Sequence, residues 1–381
     1  MKIAVVTDNL ELGEAGGVGS FVYELCHALA LSGQRVLIIG IIGNKQSIQD
    51  PLIKKLVSSG VEAKCLYAKS RKDTLIKLSH WISVLRHLLN EYAGGEKIVC
   101  NVHLKLGGLV GALASVGNDN IAVVETYHSQ YSHYKLQTIL LSPLIKKVVC
   151  CSESAYNEYV HRFGRNNAAC SIPNGIDMNA VRQIAKREKS QQVNRKILFY
   201  SVGRLTRQKN LTVSIEAFIN SANPESKYYI IGEGEDKDKL LTSIGNNHDV
   251  ELLGSMSRND VLRQISNADM IVMPSLWEGL SIFQLEALAL GCPMMLSDIS
   301  AFRQIFHEEK LGDSELFRIC QWGYLVQTNN VFAWEKAFEH FYSNYYTKEK
   351  MQDAVLDISK EYDISTTVGK YLNVFNDAIE R

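Results

Sequence analysis

Residues 1–40, MKIAVVTDNLELGEAGGVGSFVYELCHALALSGQRVLIIG, decide the fold class of this chain. Short apolar runs at 2–7 and 35–40 predict two buried strands, and the glycine-rich stretch 13–19 predicts a turn after the first strand. Apolar side chains at helical spacing lie between these runs, and Gly33 follows them where a helix would end. Because a strand, a helix and a second strand in this order form a right-handed parallel unit, we predict an α/β fold.

The same alternation occurs twice along the 381 residues, a length that suits two domains of about 100–200 residues each. A highly polar stretch, RQIAKREKSQQVNR at 182–195, separates the two series and predicts the junction. We therefore predict two Rossmann-like, doubly wound parallel-sheet domains, at 1–180 and 190–363, that face each other across a cleft. The other predicted strands lie at 97–101, 121–126, 147–151, 197–202, 228–231, 250–253, 270–273 and 293–297.

Charge and cysteine content disfavour several functional classes. Lys and Arg total 41 and Asp and Glu total 41, without the basic excess of a nucleic-acid-binding protein, so we expect no nucleic-acid partner. The longest strongly apolar run, 36–43, is far shorter than the roughly 20 residues of a membrane-spanning helix. The N-terminus has no signal-peptide core, and the eight cysteines include no C-x-x-C pair. We therefore expect a cytoplasmic protein with reduced thiols and no zinc site.

The N-terminal glycine turn differs from the dinucleotide-binding pattern. Gly17 and Gly19 are followed by Val22 at the third glycine position, and the second strand ends at 40–43 without a carboxylate for a ribose. A nicotinamide cofactor is therefore disfavoured. The turn could still bring backbone N–H groups to a phosphate at the helix start, or could serve only as a turn.

The stretch MPSLWEGLSIFQLEALALGCP, residues 273–293, predicts an anion-binding helix. Ser281 followed by Gln284 matches a capping box, so a helix of about nine residues is predicted to begin near Ile282. Its first backbone N–H groups, on Ile282 and Phe283, would lie at the carboxyl end of a strand, where open α/β sheets bind ligands.

Two carboxylates belong to this stretch. Glu286 interrupts an otherwise apolar helix, where a carboxylate is costly unless it accepts hydrogen bonds, and sugar hydroxyls are good donors. Glu278 lies in the loop before the helix and would face the same space. The alternative places Glu286 on a solvated stripe of the helix and Glu278 in a solvated loop.

Basic residues follow the first strand of the second series in GRLTRQKN, residues 203–210. A bidentate Arg204 and a Lys209 point charge suit a diphosphate, although the segment could equally be a solvated turn. The string DKD at 236–238 is similar to a metal-binding D-x-D, but it opens a charged helix, so we expect solvated carboxylates and no metal.

Together these segments resemble the retaining, nucleotide-sugar-dependent glycosyltransferases called group 1 or family 4. Glu278 and Glu286, with seven residues between them, match the E-x7-E signature of that family. The other family segments recur in order: GGV at 16–18, PNGID at 173–177, VGRL and QKN within 202–210, GEG at 232–234 and LGS at 253–255. The resemblance extends over nearly the whole chain.

The resemblance implies the GT-B fold, with the acceptor on the first domain, the nucleotide-sugar on the second, and a final helix near 364–381 that returns to the first. It also implies that Arg204 and Lys209 hold the diphosphate, Glu286 the ribose and Glu278 the donor-sugar hydroxyls. Backbone near Met256 would meet the base. The implied donor site comprises Gly16, Gly17, Arg204, Lys209, Met256, Glu278, Leu280, Ser281, Ile282 and Glu286.

A histidine of the first domain completes the implied catalytic set. His128, in TYHSQY after a predicted strand, matches a family histidine near the transferred sugar, although a lone histidine is more often structural. The implied catalytic residues are therefore Glu278, His128, Arg204 and Lys209.

The implied activity is retaining transfer of a hexosyl group from a nucleoside-diphosphate sugar, which we expect to be a UDP-sugar. The expected acceptor is a glycan, a lipid-linked sugar or a cell-envelope polysaccharide, and no metal is expected. Many family members have proline or a small residue at position 281 and a Phe-rich loop at 280, so Leu280 and Ser281 leave the donor sugar open. Two alternatives keep the fold: an epimerase or hydrolase of nucleotide-sugars, and a non-catalytic nucleotide-sugar-binding partner subunit.

The first domain also carries a candidate membrane surface. Residues 1–172 hold 18 Lys and Arg against 13 Asp and Glu, and residues 69–90 combine a basic start with amphipathic spacing. Such a helix can lie on an anionic leaflet, or it can pack its apolar stripe on the core. Peripheral association with the cytoplasmic membrane face therefore stays an open interpretation.

Overall fold

The computed structural model describes residues 1–12, 16–128, 135–165, 167–185 and 196–380. The chain divides into two compact units, Met1–Ile176 together with Tyr362–Arg381, and Asp177–Glu361. Each unit is built on its own seven-stranded sheet. Among the described residues, no helix is both long and apolar enough to cross a lipid bilayer.

The first unit is a parallel sheet with helices packed on it. Its strands are β1 (Lys2–Asn9), β2 (Arg35–Ile42), β3 (Glu62–Ala68), β4 (Ile98–His103), β5 (Ile121–Tyr127), β6 (Ile145–Cys150) and β7 (Ala169–Ser171). They lie in the order β3-β2-β1-β4-β5-β6-β7, and their neighbours pair in parallel. The helices are α1 (Gly16–Leu31), α2 (Pro51–Ser58), α3 (Arg71–Ile76), α4 (Leu78–Ala93), α5 (Leu104–Ala114), α6 (Lys135–Leu141), α7 (Glu153–Phe163) and the C-terminal α16 (Ile364–Glu380).

The second unit has the same architecture, except that one edge strand of its sheet is antiparallel. Its strands are β8 (Ile197–Val202), β9 (Ser226–Ile231), β10 (Val250–Gly254), β11 (Met270–Met273), β12 (Met294–Ser297), β13 (Phe317–Cys320) and β14 (Gly323–Val326). They lie in the order β10-β9-β8-β11-β12-β14-β13, and β13 pairs antiparallel with β14. The helices are α8 (Met178–Ala185), α9 (Leu211–Asn220), α10 (Lys237–Ile244), α11 (Arg258–Ile265), α12 (Ile282–Ala289), α13 (Ser300–Phe306), α14 (Val331–Ser343) and α15 (Lys348–Ser359).

The predicted α/β class and its strands are confirmed. All ten predicted strands form, and each observed bound lies within two residues of the predicted one. The central strands could be found because they are continuously apolar, as in β1, where residues 3–6 are fully buried. Four strands were missed. Three of them, β3, β7 and β13, lie at sheet edges, and β3 is interrupted by the exposed polar residues Glu62 and Lys64.

The boundary between the units differs from the predicted junction. It falls between Ile176 and Asp177, because α8 belongs to the second unit. The Arg182 side chain donates to the Ala289 carbonyl at 2.8 Å and to the Ser359 hydroxyl at 3.1 Å, which fixes α8 within that unit. The rest of the polar stretch, 186–195, lies outside the described residues.

The PNGID segment joins α16 to the first unit. A Cβ on Gly175 would come within 2.4 Å of the Thr367 hydroxyl, so only glycine allows α16 to approach so closely. Thr367 in turn donates to the Pro173 carbonyl at 3.1 Å, and Ile176 and Ile364 form a further backbone hydrogen bond of 2.9 Å. The last helix therefore packs on the first unit, against α1 and β5.

The amphipathic segment 69–90 faces the core of the first unit. Its apolar stripe on α4, including Trp81, Leu85 and Leu89, is buried in the core cluster. Two of the basic residues of this segment form ion pairs, Arg71 with Asp8 at 3.3 Å and Lys77 with Asp73 at 2.9 Å. This arrangement favours the core-packing interpretation of the helix.

Candidate functional site

The second sheet brings four loops together at the carboxyl ends of β8, β9, β10 and β11. The loops after β8 and β9 touch through their backbones, since a Cβ on Gly232 would lie 1.9 Å from the Gly203 carbonyl oxygen. Gly232 also has a φ of +148°, which favours glycine. The GEG segment is therefore required by close loop packing beside the candidate site.

A buried ion pair joins the loops after β8 and β11. Lys209 Nζ lies 2.7 Å from Glu278 Oε1, and Ser275 donates to the same oxygen at 2.8 Å. Gln208 donates to Glu278 Oε2 at 3.3 Å and to the Trp277 carbonyl at 2.9 Å. Glu278 is 7% exposed, so it is not the solvated loop residue of the alternative interpretation.

Helix α12 begins at Ile282, as predicted, but without the predicted capping box. The Ser281 side chain accepts no cap hydrogen bond from the helix. Gln284 is 1% exposed and its Nε2 has no hydrogen-bond partner among the described residues, so burial has drawn this side chain inward, away from the helix start. The first backbone N–H groups of α12, on Ile282 and Phe283, are therefore not occupied by the side-chain cap that the sequence predicts.

Glu286 lies on α12 and is paired with a residue that the sequence did not single out. It is 6% exposed, and its Oε1 accepts from Arg258 Nε at 2.5 Å. Burial raises the pKa of Glu286, and the Arg258 guanidinium opposes that shift. The solvated-stripe alternative is wrong, because the carboxylate is buried and charge-paired.

The other predicted donor residues lie in loops that follow strands of the same sheet. Arg204 follows β8 and is exposed, while Met256 follows β10 and is half-buried. Leu280 is buried just before α12. The D-x-D string begins α10, with Asp236 at the N-cap position, and no cluster of metal-ligating side chains is present among the described residues.

The first sheet carries its own polar groups at its carboxyl edge. Gly16 and Gly17 form the first turn of α1, and the residues before them, 13–15, lie outside the described residues. Asp8, near the end of β1, is 3% exposed and accepts from the backbone N–H groups of Leu106 and Gly107 at 2.8 and 3.0 Å. Asp8 thus caps α5, and burial raises its pKa.

His128 directly follows β5 and contacts a second histidine. Its Nε2 lies 2.9 Å from Nδ1 of His103, the last residue of β4, and Phe21 packs edge-on against its ring. Burial lowers the pKa of His128 to about 4. Sequence reasoning singled out His128 and missed His103, although both follow the same rule of lying at the carboxyl end of a strand.

Known proteins provide a comparison for both units. A family model described as "Glycosyl transferases group 1" matches residues 182–355, and one described as "Glycosyltransferase Family 4" matches residues 15–180. A UDP-Gal:alpha-D-GlcNAc-diphosphoundecaprenol alpha-1,3-galactosyltransferase of Escherichia coli is 30% identical over 177 residues, 42% of this chain and 41% of that enzyme. A phosphatidyl-myo-inositol mannosyltransferase of Mycobacterium tuberculosis is 24% identical over 311 residues, 78% of each protein.

Similarity of fold extends further than similarity of sequence. The crystal structure of HepE from Anabaena in complex with UDP superposes with a TM-score of 0.77 at 16% identity, covering 99% of this chain and 100% of that one. The two sheets of this chain therefore form the GT-B fold. With both halves matched by family models, the chain belongs to the group 1 (family 4) glycosyltransferases.

Proposed function

We propose that this chain transfers a hexosyl group, with retention of configuration, from a UDP-sugar to a glycan or lipid-linked acceptor of the cell envelope. One observation carries the proposal: Lys209 pairs with the buried Glu278 at the carboxyl edge of the second sheet, in the loop that leads into the uncapped start of α12. A cation, a buried carboxylate and N–H groups without a side-chain cap suit a diphosphate joined to a sugar.

Each member of the site has a chemical role in this proposal. Lys209, Arg204 and the α12 N-terminus stabilise the charge that develops on the leaving diphosphate. Glu278 accepts hydrogen bonds from donor-sugar hydroxyls, and Glu286, held by Arg258, accepts from the ribose. Because Lys209 is paired with Glu278 in the structure, a diphosphate would share Lys209 with that carboxylate.

The remaining donor contacts are assigned by the family resemblance. Gly16 and Gly17 would lie near the phosphates, and backbone at Met256 would meet the base. Leu280, Ser281 and Ile282 would line the donor pocket. The first unit would bind the acceptor, with His128 beside the transferred sugar.

The choice of donor and acceptor draws on similar proteins. HepE is known with UDP and with UDP-glucose, and the relatives from Escherichia coli and Mycobacterium tuberculosis are named for galactosyl and mannosyl transfer. Their names give a diphosphoundecaprenol-linked and a phosphatidyl-inositol acceptor. A hexosyl donor and a lipid-linked acceptor at the cytoplasmic membrane face are therefore the most economical proposal.

The proposed reaction uses no side chain as a covalent nucleophile. In the proposed reaction the anomeric C–O bond to the diphosphate breaks, the new bond forms on the same face, and a leaving phosphate oxygen takes the acceptor's proton. Charge stabilisation by Lys209 and Arg204 would replace a metal ion in this route. We expect turnover to continue in the presence of a chelator; loss of turnover that manganese restores would contradict this expectation.

A ligand panel followed by product analysis tests the activity. UDP-, GDP- and ADP-hexoses are added to the full chain, and the rise in Tm identifies the donor, since a ligand that binds the folded state stabilises it. Incubation of that donor with lipid-linked acceptors should yield free UDP and an α-linked product. Isomerised donor without free nucleotide would indicate an epimerase, free sugar a hydrolase, and binding without turnover a partner subunit.

A further inference from the structure

A chain of buried hydrogen bonds runs from β5 through β4 to His128. Asn101 Nδ2 donates to the Val124 carbonyl and to the Thr126 hydroxyl, both at 3.0 Å. Asn101 Oδ1 lies 2.7 Å from His103 Nε2, and His103 Nδ1 lies 2.9 Å from His128 Nε2. Asn101 and His103 are both fully buried, so water does not compete for these contacts.

The orientation of the Asn101 amide follows from its backbone partner. A carbonyl oxygen only accepts hydrogen bonds, so the amide atom that faces Val124 must be the nitrogen. The oxygen of the same amide must then face His103. If the amide were turned over, two oxygens would meet at Val124.

This orientation determines the proton positions of both histidines. Asn101 Oδ1 can only accept, so His103 must carry its proton on Nε2. Burial keeps the pKa of His103 well below its usual range, so the ring is neutral and its Nδ1 is an acceptor. His128 must therefore donate from Nε2, which leaves a lone pair on Nδ1 of a half-buried ring.

We propose that Asn101 and His103 are positioning residues that hold His128 as its Nε2–H tautomer, so that His128 Nδ1 accepts a hydrogen bond from a hydroxyl of the substrate. The substrate contact rests on the proposed glycosyl transfer, whereas the tautomer rests on the hydrogen bonds alone. Two further contacts restrain the residue: the edge-on packing of Phe21 on the ring, and the Cys151 thiol, 3.5 Å from the His128 carbonyl oxygen.

The tautomer limits what His128 can recognise. A neutral nitrogen acceptor suits a hydroxyl group, which donates, and does not suit a carboxylate or a phosphate, which only accept. The substrate position beside His128 is therefore a hydroxyl of a neutral hexose and not the carboxylate of a uronic acid. The His128 tautomer thus favours a neutral sugar whichever nucleotide the donor carries.

Nitrogen-15 NMR spectroscopy of the full chain tests the His128 tautomer directly. With ¹⁵N-histidine labelling near pH 7, the His128 ring should show a protonated Nε2 and an unprotonated Nδ1, with its signals identified by their loss in His128→Gln. In His103→Leu these signals should move towards a mixture of the two tautomers. In His103→Gln they should stay, because the new amide can accept from His128 and donate to Asn101. A wild-type His128 protonated on Nδ1 would overturn the proposal.

Kinetics test the contact with the substrate. His103→Leu should lower kcat by about tenfold, the worth of one oriented hydrogen bond, while His103→Gln restores most of it. His340→Leu is the matched control, because His340 bonds Tyr324 in the second unit, and it should change neither kcat nor the His128 signals. Loss of the tautomer with unchanged kcat would overturn the substrate contact. Absence of any glycosyl transfer by the wild type would refute the proposed function instead, and the spectra would still decide the tautomer.

Discussion

The candidate site residues at the carboxyl edges of the two sheets differ in their chemistry. At the first sheet, Asn101, His103 and His128 form a chain of neutral hydrogen bonds. At the second, Lys209 with Glu278 and Arg258 with Glu286 form ion pairs whose carboxylates are buried. Both sheets follow the same topological rule, by which strand ends collect polar side chains in one place.

The difference shows what each edge can recognise. A buried ion pair offers a charge that a charged ligand can share, as a diphosphate would share Lys209. The neutral hydrogen-bond chain of the first sheet fixes which atom donates in each bond, and such a chain suits an uncharged sugar ring. We therefore expect substitutions at the second sheet to have the larger effects, because leaving a buried charge unpaired costs more than losing a neutral hydrogen bond.

The largest effect is expected for Lys209→Met, which keeps the length of the side chain and removes its charge. Turnover should fall by about 10²–10³, as for removal of one group that stabilises transition-state charge. Steady-state kinetics with the donor found in the ligand panel measure it. Lys336→Met is the matched control, because Lys336 pairs with Glu339 on α14. If both variants lose turnover equally, the special role of Lys209 is refuted.

Glu278→Gln separates sugar contact from nucleotide contact. The amide keeps the shape of the side chain but loses the charge that attracts the donor-sugar hydroxyls, so kcat should fall about 10–100-fold. UDP affinity, measured by calorimetry, should change by no more than about threefold, since Lys209 remains to hold the diphosphate. A loss of UDP affinity as large as the loss of kcat would move Glu278 from the sugar to the nucleotide.

Arg258→Ala tests the buried pair through stability and pH. Burial raises the pKa of Glu286 in the folded protein, so folding favours its protonated form and the ionised form depends on Arg258. Without Arg258 that pKa rises further, and stability should be lost as the pH increases through the raised pKa. We expect a decrease of about 2 kcal/mol in the free energy of unfolding at pH 8 and a smaller one at pH 5. Urea unfolding at the two pH values measures it.

A second substitution provides the control for that experiment. Adding Glu286→Gln to Arg258→Ala removes the charge that was left unpaired, so most of the stability at pH 8 should return. A pH-independent loss that Glu286→Gln does not repair would show that Arg258 acts through packing and not through the ion pair.

The central strands and the positions of Lys209 and Glu278 could be predicted from the sequence, because both depend on local patterns. Continuous apolar runs mark central strands, and residues such as Lys209 and Glu278 lie in short segments that follow those strands. What could not be predicted depends on contacts between distant segments. Arg258 meets Glu286 across 28 positions, and Asn101 meets Val124 across 23, with no local signal for either contact.

Two differences between the sequence prediction and the structure have the same physical origin. The capping box at Ser281 was predicted from spacing, but burial of Gln284 overrides it, since the side chain faces the core. The junction was predicted from the polarity of 182–195, but the Arg182 hydrogen bonds make α8 part of the second unit. In both cases a polar residue contacts a distant part of the chain, so its sequence neighbours do not reveal its role.

The smallest effect is expected for a substitution of Glu125, a carboxylate of β5, the strand that His128 follows. Its Oε2 is buried and has no hydrogen-bond partner among the described residues, and burial raises its pKa to about 7 against the attraction of Arg165. Since the folded pKa lies above the unfolded one, protonation of Glu125 stabilises the fold at acidic pH, and this stabilisation is lost as the pH rises towards 7.

Glu125→Gln keeps the neutral form at every pH. It should raise the free energy of unfolding by about 1 kcal/mol at pH 8 and leave it unchanged at pH 5, as measured by urea unfolding. Glu91→Gln, at an exposed position of α4, is the control and should have no effect at either pH. An equal or lower stability of Glu125→Gln at pH 8 would mean that the ionised carboxylate is held by Arg165, as Glu286 is held by Arg258 in the second unit.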